Sequence, residues 1–160
     1  MPDLLISLNG QGGVSGWDVA QPAVGMHVRR ALAYERQLVL GWVERSFSAG
    51  WAGEVAVALG VQPTTCFLAV GGTNLAGFCC YDATYRGFLG PLGVREVYRG
   101  RGIGRALLHA ALHAMWHAGY AYAVVGASGA TGFYAKVAGA REISGSDAGS
   151  YPPRLRDHTG

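Results

Sequence analysis

Residues 93–108 read Gly-Val-Arg-Glu-Val-Tyr-Arg-Gly-Arg-Gly-Ile-Gly-Arg-Ala-Leu-Leu. A strand-like segment runs into three glycines, Gly100, Gly102 and Gly104, and an amphipathic helix begins at once with Ile103. Free backbone N–H groups and a helix N-terminus therefore meet at one place, an arrangement that binds anions. Glycine lets a phosphate come close to these amides, because a side chain would hold it away. The stretch predicts a phosphate site.

Much of the positive charge of the chain lies in the same stretch. Four arginines against one glutamate give it a local charge of +3, which equals the net charge of the whole protein. These residues are Arg95, Glu96, Arg99, Arg101 and Arg105. Guanidinium groups match the geometry of phosphate oxygens. A surplus of this size does not by itself favour nucleic acid or an anionic membrane, so we interpret it as one focused anion site and expect neither as a partner.

Two other kinds of phosphate site are disfavoured. A P-loop requires a lysine directly after its last glycine, whereas the single lysine of the chain is the distant Lys136. A dinucleotide-binding fingerprint needs a third glycine where Arg105 stands, and no acidic residue ends the next strand. The predicted anion site therefore belongs to another class.

Length and composition indicate one globular domain. The 160 residues are 50% hydrophobic and 14% charged, which excludes a disordered chain. We expect a single domain over residues 1–160, with residues 1–21 as an N-terminal extension and residues 144–160 as a tail rich in Ser, Gly and Pro.

The cysteines and the apolar segments indicate the compartment. Cys66, Cys79 and Cys80 are odd in number and two are adjacent, so we interpret them as buried thiols rather than a secreted disulfide framework. The first residues lack the layout of a signal peptide, and no apolar run reaches the length of a membrane span. We expect a cytoplasmic protein.

Hydrophobic periodicity predicts an α/β domain in the order β-α-α-β-β-β-α-β-α-β, preceded by a short strand. The strands are expected at Leu4–Leu8, Val24–Arg30, Thr65–Val70, Leu75–Tyr81, Phe88–Val94, Tyr120–Val125 and Arg141–Ile143. The helices are expected at Ala33–Phe47, Ala52–Leu59, Ile103–His117 and Ala130–Val137. One face of the first helix is expected to hold Leu38, Val39, Trp42, Val43 and Phe47. Gly90 and Pro91 interrupt a strand and predict a bulge or lost pairing there.

Two motifs carry a resemblance to a known family. Arg99-Gly-Arg-Gly-Ile-Gly104, with Val94 upstream and a helix after it, matches the [RQ]-x-x-G-x-[GA] motif of the GNAT superfamily of acyl-CoA N-acyltransferases. Gly132-Phe-Tyr-Ala-Lys-Val-Ala-Gly-Ala140 resembles its F-Y-x-K-x-x-G segment. The order of elements from Val24 to Ile143 also fits, so the resemblance covers roughly three quarters of the chain. The chain departs from the common pattern at Glu96, often proline, and at Ala140, often aromatic.

The resemblance implies an α/β GNAT fold: a mixed central sheet of about six to seven strands, with splayed fourth and fifth strands, flanked by about four helices. Acetyl-CoA is implied as co-substrate, lying between the splayed strands with its pyrophosphate on the loop before the third helix. Carried over, Val94 gives backbone hydrogen bonds to the pantetheine arm and Tyr134 protonates the departing thiolate. The implied acetyl-CoA contacts are Leu92, Gly93, Val94, Arg99, Gly100, Arg101, Gly102, Ile103, Gly104, Arg105, Ser128, Phe133 and Tyr134.

The general base is less well defined by the sequence. Amide formation requires an unprotonated amine, yet the strand Phe88–Val94 contains no carboxylate. Glu54, in the second helix, and Asp82, after the strand Leu75–Tyr81, are the nearest candidates. A water relay is the alternative, and each acid is also an ordinary residue of a helix turn or loop.

His109, His113 and His117 are spaced by four on one helix, a pattern that metal sites also show. No cysteine or acidic ligand accompanies them, and the apolar residues of the helix occupy another face. We therefore expect the histidines on the solvent side and predict no metal.

The resemblance implies an N-acetyltransferase, which we expect to move the acetyl group of acetyl-CoA to the primary amine of a small molecule by direct attack in a ternary complex. Segments at 79–82, 87–91, 119–122 and 145–151 resemble amino-sugar acetyltransferases, so an amino sugar is the first candidate acceptor. Trp51 and Tyr151 would stack on a sugar or simply pack, and the tail would shape the acceptor site. Alternatives are a non-catalytic acyl-CoA-binding or regulatory module, or acetylation of a peptide amine. A monomer or homodimer is expected.

Overall fold

The computed structural model describes residues 1–9, 25–149 and 151–157. Its strands are β1 Leu4–Ser7, β2 Met26–Arg30, β3 Cys66–Gly71, β4 Asn74–Tyr81, β5 Leu89–Val94, β6 Tyr122–Val125 and β7 Arg141–Glu142. Its helices are α1 Arg36–Ser46, α2 Ala49–Leu59, α3 Ile103–His117 and α4 Thr131–Ala138. Short 3-10 turns at Ala33–Glu35 and Glu96–Tyr98 precede α1 and α3. The predicted order is confirmed; Val24, residues 10–21 of the predicted extension, and residues 150 and 158–160 of the tail lie outside the described residues.

The strands form two sheets that diverge from one point. The first is antiparallel in the order β2-β3-β4-β5, and the second has the order β6-β1-β7. Between them, the described residues contain one bridge, where Phe88 pairs in parallel with Val124, and the Val124 N–H donates to the Gly87 carbonyl at 2.9 Å. Beyond this bridge β5 and β6 separate. The predicted order counts strands from Val24–Arg30, so its fourth and fifth strands are β5 and β6. Their predicted splay is therefore confirmed.

The bulge predicted at Gly90 and Pro91 is also present. Tyr81 of β4 pairs with Leu89, whereas Cys79 pairs with Leu92, so two residues of β5 lie opposite one residue of β4. Gly90 has a φ of +117°, a conformation that side chains rarely adopt. Proline lacks an N–H and is tolerated where regular pairing is interrupted. The bulge thus occurs in the strand that borders the gap.

Strand β1 lies at the centre of the second sheet. It pairs antiparallel with β6 on one side and with β7 on the other. Leu4, Ile6 and Leu8 are fully buried, while Ser7 is exposed, which is the alternation of a strand with one covered face. The strand expected at Leu4–Leu8 is therefore an inner strand of the fold.

Strand β4 lies between two layers of helix. Phe78 and Cys80 face the cluster formed with α1 and α2, and Cys79 and Tyr81 face the cluster formed with α3. Both faces are covered, so the strand is apolar along nearly its whole length. The three cysteines are buried and free, as predicted, and burial raises the pKa of the Cys79 and Cys80 thiols.

Two predictions about helix faces are wrong. Leu38 is 64% exposed, because it lies at the edge of the apolar arc of α1, whose centre is formed by Val39, Trp42 and Val43. His109 is 1% exposed rather than on the solvent side. Helix α3 packs against five strands, β2 to β6, so its covered surface is wider than one amphipathic face. Within the described part of the chain, no helix is both long and apolar enough to cross a membrane.

Candidate active site

A cavity of about 700 Å³ opens where β5 ends and α3 begins. Its wall contains the glycine-rich loop, the end of β5, and aromatic residues from α4 and from the α1–α2 connection. The lining residues are Phe47, Trp51, Leu92, Gly93, Val94, Tyr98, Arg99, Gly100, Gly102, Ile103, Gly104, Arg105, Ala130 and Phe133. Ten of the thirteen residues for which the sequence predicted acyl-donor contacts are among them, and the other three are Arg101, Ser128 and Tyr134.

The N-terminus of α3 supplies the polar end of this cavity. Gly100 and Gly102 have φ values of +78° and +77°, and Gly102 is the N-cap. Ala106 N–H donates to the Gly102 carbonyl at 3.0 Å, so the N–H groups of the first turn before it have no acceptor within the helix. Glycine is therefore required here by backbone conformation as well as by close approach.

Two of the four arginines in the glycine-rich stretch line the cavity. These are Arg99, whose Nε donates to the Val94 carbonyl at 3.3 Å, and Arg105. The Arg101 guanidinium lies 5.6 Å from the centre of the Tyr98 ring. Arg95 turns away: its Nε donates to the Leu75 carbonyl at 3.1 Å, and it lines a separate cavity of about 320 Å³. The local charge of +3 is thus shared between different surfaces.

The 700 Å³ cavity fits an extended ligand that carries a phosphate at one end. The first turn of α3 and the two guanidinium groups provide donors at that end. Leu92, Val94 and Phe133 provide an apolar wall for the remainder. The residues that are present therefore suit the pyrophosphate and pantetheine arm of an acyl-CoA.

A second cavity of about 370 Å³ adjoins the first. The two share Trp51, Leu92 and Ala130, so they lie on either side of one wall. The lining residues of the second are Trp51, Glu54, Thr84, Leu89, Gly90, Pro91, Leu92, Val125, Gly126, Ala127, Ser128, Gly129, Ala130, Tyr134 and Tyr151. The predicted acid Tyr134 and the candidate base Glu54 are thus brought to the same cavity.

Tyr134 is a buried phenol with one side open to the second cavity. It is 6% exposed, and its ring meets that of Phe133 edge to face with 5.2 Å between centres. Burial raises the pKa of the Tyr134 phenol well above its ordinary value of 10, with a smaller contribution from Cys79. The phenol keeps its proton through the neutral pH range, so it can donate one to a neighbouring anion.

Glu54 is presented by the first turns of α2. Ser48 caps this helix, since its Oγ accepts the Trp51 N–H at 3.1 Å. The Glu54 Oε1 atom in turn accepts a hydrogen bond of 2.5 Å from the Thr84 hydroxyl. Among the described side chains that line the second cavity, Glu54 is the single carboxylate.

Asp82 is held in a different role. Its two carboxylate oxygens accept hydrogen bonds of 2.8 Å from the Tyr120 hydroxyl, and Oδ1 also accepts the Gly87 N–H at 2.8 Å. Asp82 lines neither cavity and closes the loop between β4 and β5. Of the two candidate bases, the structure brings Glu54 to Tyr134 and leaves Asp82 outside.

Ser128 and the residues that sequence reasoning missed complete the second cavity. Ser128 lines it, and its Oγ accepts the Ala130 N–H at 3.0 Å. Thr84 was not predicted, and a threonine in a loop carries no signal of function in a single sequence. Gly126 was also missed: a Cβ atom there would lie 2.6 Å from the Tyr151 hydroxyl, so the glycine makes room for the tail.

The three histidines of α3 do not come together at one point, although two of them are neighbours. His113 and His117 have ring centres 4.5 Å apart, and burial, together with His117, lowers the pKa of His113. His109 is buried in the core. Within residues 1–9, 25–149 and 151–157, no group of three metal-ligating side chains comes together.

Comparisons with known proteins extend this description. A sequence profile described as the Acetyltransferase (GNAT) family matches residues 33–140. Among solved structures, the chain is similar to a GCN5-related glucosamine N-acetyltransferase region of a fungal multi-domain GH3 β-N-acetylglucosaminidase, with a TM-score of 0.67 and 14% identity over 89% of this chain and 19% of that one. Among curated proteins, no sequence matches it.

Two bacterial structures are also similar. One is a GCN5-related N-acetyltransferase from Sphaerobacter thermophilus, with a TM-score of 0.61 and 20% identity over 89% of this chain and 48% of that one. The other is a GCN5-related N-acetyltransferase from Kribbella flavida, with a TM-score of 0.58 and 13% identity over 88% of this chain and 53% of that one. The chain thus spans about a fifth to a half of the length of these three structures. At such identities the likeness shows a shared fold.

Proposed function

Because the chain belongs to the acetyltransferase (GNAT) family, we propose that it transfers the acetyl group of acetyl-CoA to the primary amine of a small molecule. One observation carries the proposal. A cavity with an anion-binding end and a cavity with a carboxylate and a protonated phenol share the wall of Trp51, Leu92 and Ala130. Direct transfer requires the two substrates side by side, and this arrangement supports it.

In this proposal acetyl-CoA occupies the larger cavity. Its pyrophosphate lies at the N-terminus of α3, beside Arg99 and Arg105, and its pantetheine arm follows the end of β5. Beyond the Phe88–Val124 bridge, the described residues place no strand against the outer edge of β5, which leaves its peptide groups for the arm, apart from the Val94 carbonyl that Arg99 contacts. The acetyl group then reaches the shared wall.

The proposed reaction uses Glu54 and Tyr134. The acceptor enters as an ammonium ion and gives one proton to the Glu54 carboxylate. The amine attacks the thioester carbon, the C–N bond forms, and the intermediate collapses as the C–S bond breaks. Tyr134 gives its proton to the sulfur, and the nitrogen then loses its second proton, which restores the phenol. The proton on Glu54 leaves to solvent, so each turnover yields one amide, one CoA thiol and one proton.

The charge of the second cavity supports a cationic acceptor that lacks phosphate and carboxylate groups. Its described lining contains Glu54 and neither lysine nor arginine. Trp51 and Tyr151 provide aromatic faces, and a volume of about 370 Å³ suits a small molecule. We take an unphosphorylated amino sugar as the first candidate.

A panel of amines tests the proposal. Release of thiol from acetyl-CoA would be measured with glucosamine, glucosamine 6-phosphate, a short alkyl diamine and a lysine peptide, and the acetylated product identified by mass spectrometry. We expect kcat/KM for glucosamine to exceed that for its 6-phosphate by about tenfold or more, because the phosphate would meet Glu54 without a cation. Tight CoA binding without turnover would make the protein a binding module, and preference for the phosphate would overturn the acceptor assignment.

The variant Tyr134→Phe tests the acid. It removes the hydroxyl and keeps the ring, so we expect kcat to fall by about a hundredfold while affinity for CoA changes little. Tyr122→Phe is the matched control, since Tyr122 is 55% exposed on β6 and lines neither cavity. Steady-state kinetics and calorimetric CoA binding measure the two effects. An equal loss of CoA affinity would make Tyr134 a binding residue.

A further inference from the structure

A tail residue lies in the same cavity as the carboxylate and the threonine that donates to it. The Thr84 hydroxyl donates to Glu54 Oε1 at 2.5 Å, and Tyr151, which lines the same cavity as Thr84, lies close enough for its phenol to interact with this hydroxyl. A threonine hydroxyl has one proton. Because Thr84 gives this proton to the carboxylate, only its oxygen is left to interact with the Tyr151 phenol.

The ring of Tyr151 packs between Gly126 and Tyr85. Gly126, at the end of β6, lies so close that a Cβ atom would be 2.6 Å from the phenol oxygen and 2.9 Å from a ring carbon. On another side, the centre of the Tyr85 ring lies 6.3 Å away. Tyr151 also lines the second cavity, although it lies outside the strands and helices. The tail is thus tied to the acceptor side of the molecule.

We infer that the Tyr151 phenol donates to the Thr84 oxygen, and that the two are positioning residues, which hold the Glu54 carboxylate toward the acceptor amine. A glutamate side chain has several rotatable bonds, so fixing one oxygen through Thr84 leaves the other directed to the ligand. Closure of the cavity by Tyr151 and activation of the amine are then coupled. The inference rests on the proposed acetyltransfer.

The titratable groups around the chain come from several elements. In addition to burial, electrostatic interactions with Glu54, Asp3 and Tyr85 raise the pKa of the Tyr151 phenol. Burial and an interaction with Glu54 also raise the pKa of the Cys80 thiol. Burial is the main cause that raises the pKa of Tyr151. The phenol therefore remains a hydrogen-bond donor at neutral pH.

The experiment compares Thr84→Val, Tyr151→Phe and Glu54→Gln, each alone and combined, in the full chain with acetyl-CoA and the best amine. We expect Thr84→Val to lower kcat about tenfold and Tyr151→Phe about threefold, with KM for acetyl-CoA unchanged. The acid limb of the kcat profile should move to higher pH by roughly one pH unit in Thr84→Val. In the Glu54→Gln background neither substitution should reduce kcat further.

The outcomes separate the inference from the function on which it rests. Equal losses with and without Glu54, or an unchanged pH profile, would show that Thr84 and Tyr151 only support the structure. Turnover that tolerates Glu54→Gln would overturn the positioning chain and leave acetyltransfer standing, whereas no turnover by the unmodified protein with any amine would overturn both. Tyr122→Phe controls for loss of a hydroxyl elsewhere, and thermal unfolding verifies that every variant is folded.

Discussion

Glu35 fastens the start of α1 to the edge strand β2. Its carboxylate accepts hydrogen bonds from both terminal nitrogens of Arg29, at 2.6 and 3.1 Å, and from the Leu32 N–H at 3.1 Å. The Arg29 hydrogen bond is the main cause that lowers the pKa of Glu35, and the Leu32 N–H adds to it. A bidentate pair of this geometry holds the carboxylate in its ionised form.

The variant Glu35→Gln should reveal this contribution as a function of pH. The folded state lowers the pKa, so the contribution is present above the unfolded value of about 4.3 and is lost as pH falls through the folded value. We expect the variant to lower the free energy of unfolding by up to about 1 kcal/mol at pH 7 and by less at about pH 3. Urea titrations at both pH values measure it, with Glu44→Gln, an exposed change on α1, as control. A loss of equal size at both pH values would contradict the assignment.

Among single residues, the sequence indicated two candidate bases, Glu54 and Asp82, but could not choose between them. Asp82 follows a strand and Glu54 lies in a helix, and both positions are compatible with an active site. The difference depends on Tyr120, which is 38 residues from Asp82 in the chain yet donates to its carboxylate. Such a pairing is set by tertiary packing, which no local pattern records.

The N-terminus of α3 shows what an element can reveal by itself. Its glycines, its helix start and the strand before it are neighbours in sequence, so local spacing is enough to predict an anion site here. Local spacing does not predict where the side chains of the arginines point. The 3-10 turn Glu96–Tyr98 lies between Arg95 and the glycine-rich loop, and Arg95 extends toward Trp42 of α1. Burial of His109 likewise depends on how many strands α3 meets.

Arg105 and Arg95 line different cavities, and this difference gives a paired prediction for CoA binding. Arg105→Gln removes a guanidinium that lines the larger cavity, so we expect CoA to bind about tenfold more weakly. Arg95→Gln removes a guanidinium from the separate cavity of about 320 Å³ and should leave CoA affinity within about twofold. Isothermal titration calorimetry at one fixed salt concentration compares them. Equal losses would mean that the net charge of the stretch, rather than its geometry, binds the phosphate.

For the whole molecule, the N-terminal segment connects the second sheet to the acceptor side. Asp3 is 3% exposed, and its Oδ1 accepts the Ala127 N–H at 2.9 Å, beside Gly126 and Ser128 of the cavity wall. Its carbonyl accepts the Ile143 N–H at 2.9 Å. The sequence predicts the strand from its alternation, but its place between β6 and β7 depends on pairs such as Leu4 with Glu142, far beyond any local window.

The alternation of β1 gives a stability prediction. Ile6→Ala removes a fully buried side chain and should lower the free energy of unfolding by about 2–4 kcal/mol. Leu5→Ala, on the opposite and partly exposed face of the same strand, should cost less than half as much. Guanidinium denaturation followed by circular dichroism measures both. Equal costs would mean that β1 does not hold the central position with its Leu4–Ile6–Leu8 face inward.

The central position of β1 also bears on how the chain folds as a ribosome makes it. Among the described residues, the strands of the first sheet are complete once Val94 has been made, whereas β1 gains one partner, β6, only from Tyr122 and the other, β7, only from Arg141. At about 5–20 residues per second, the apolar Leu4, Ile6 and Leu8 wait on the order of ten seconds for their partners. Among the described strands, β1 is thus synthesised before the others and is among the last to be paired, so its apolar face stays uncovered during that interval.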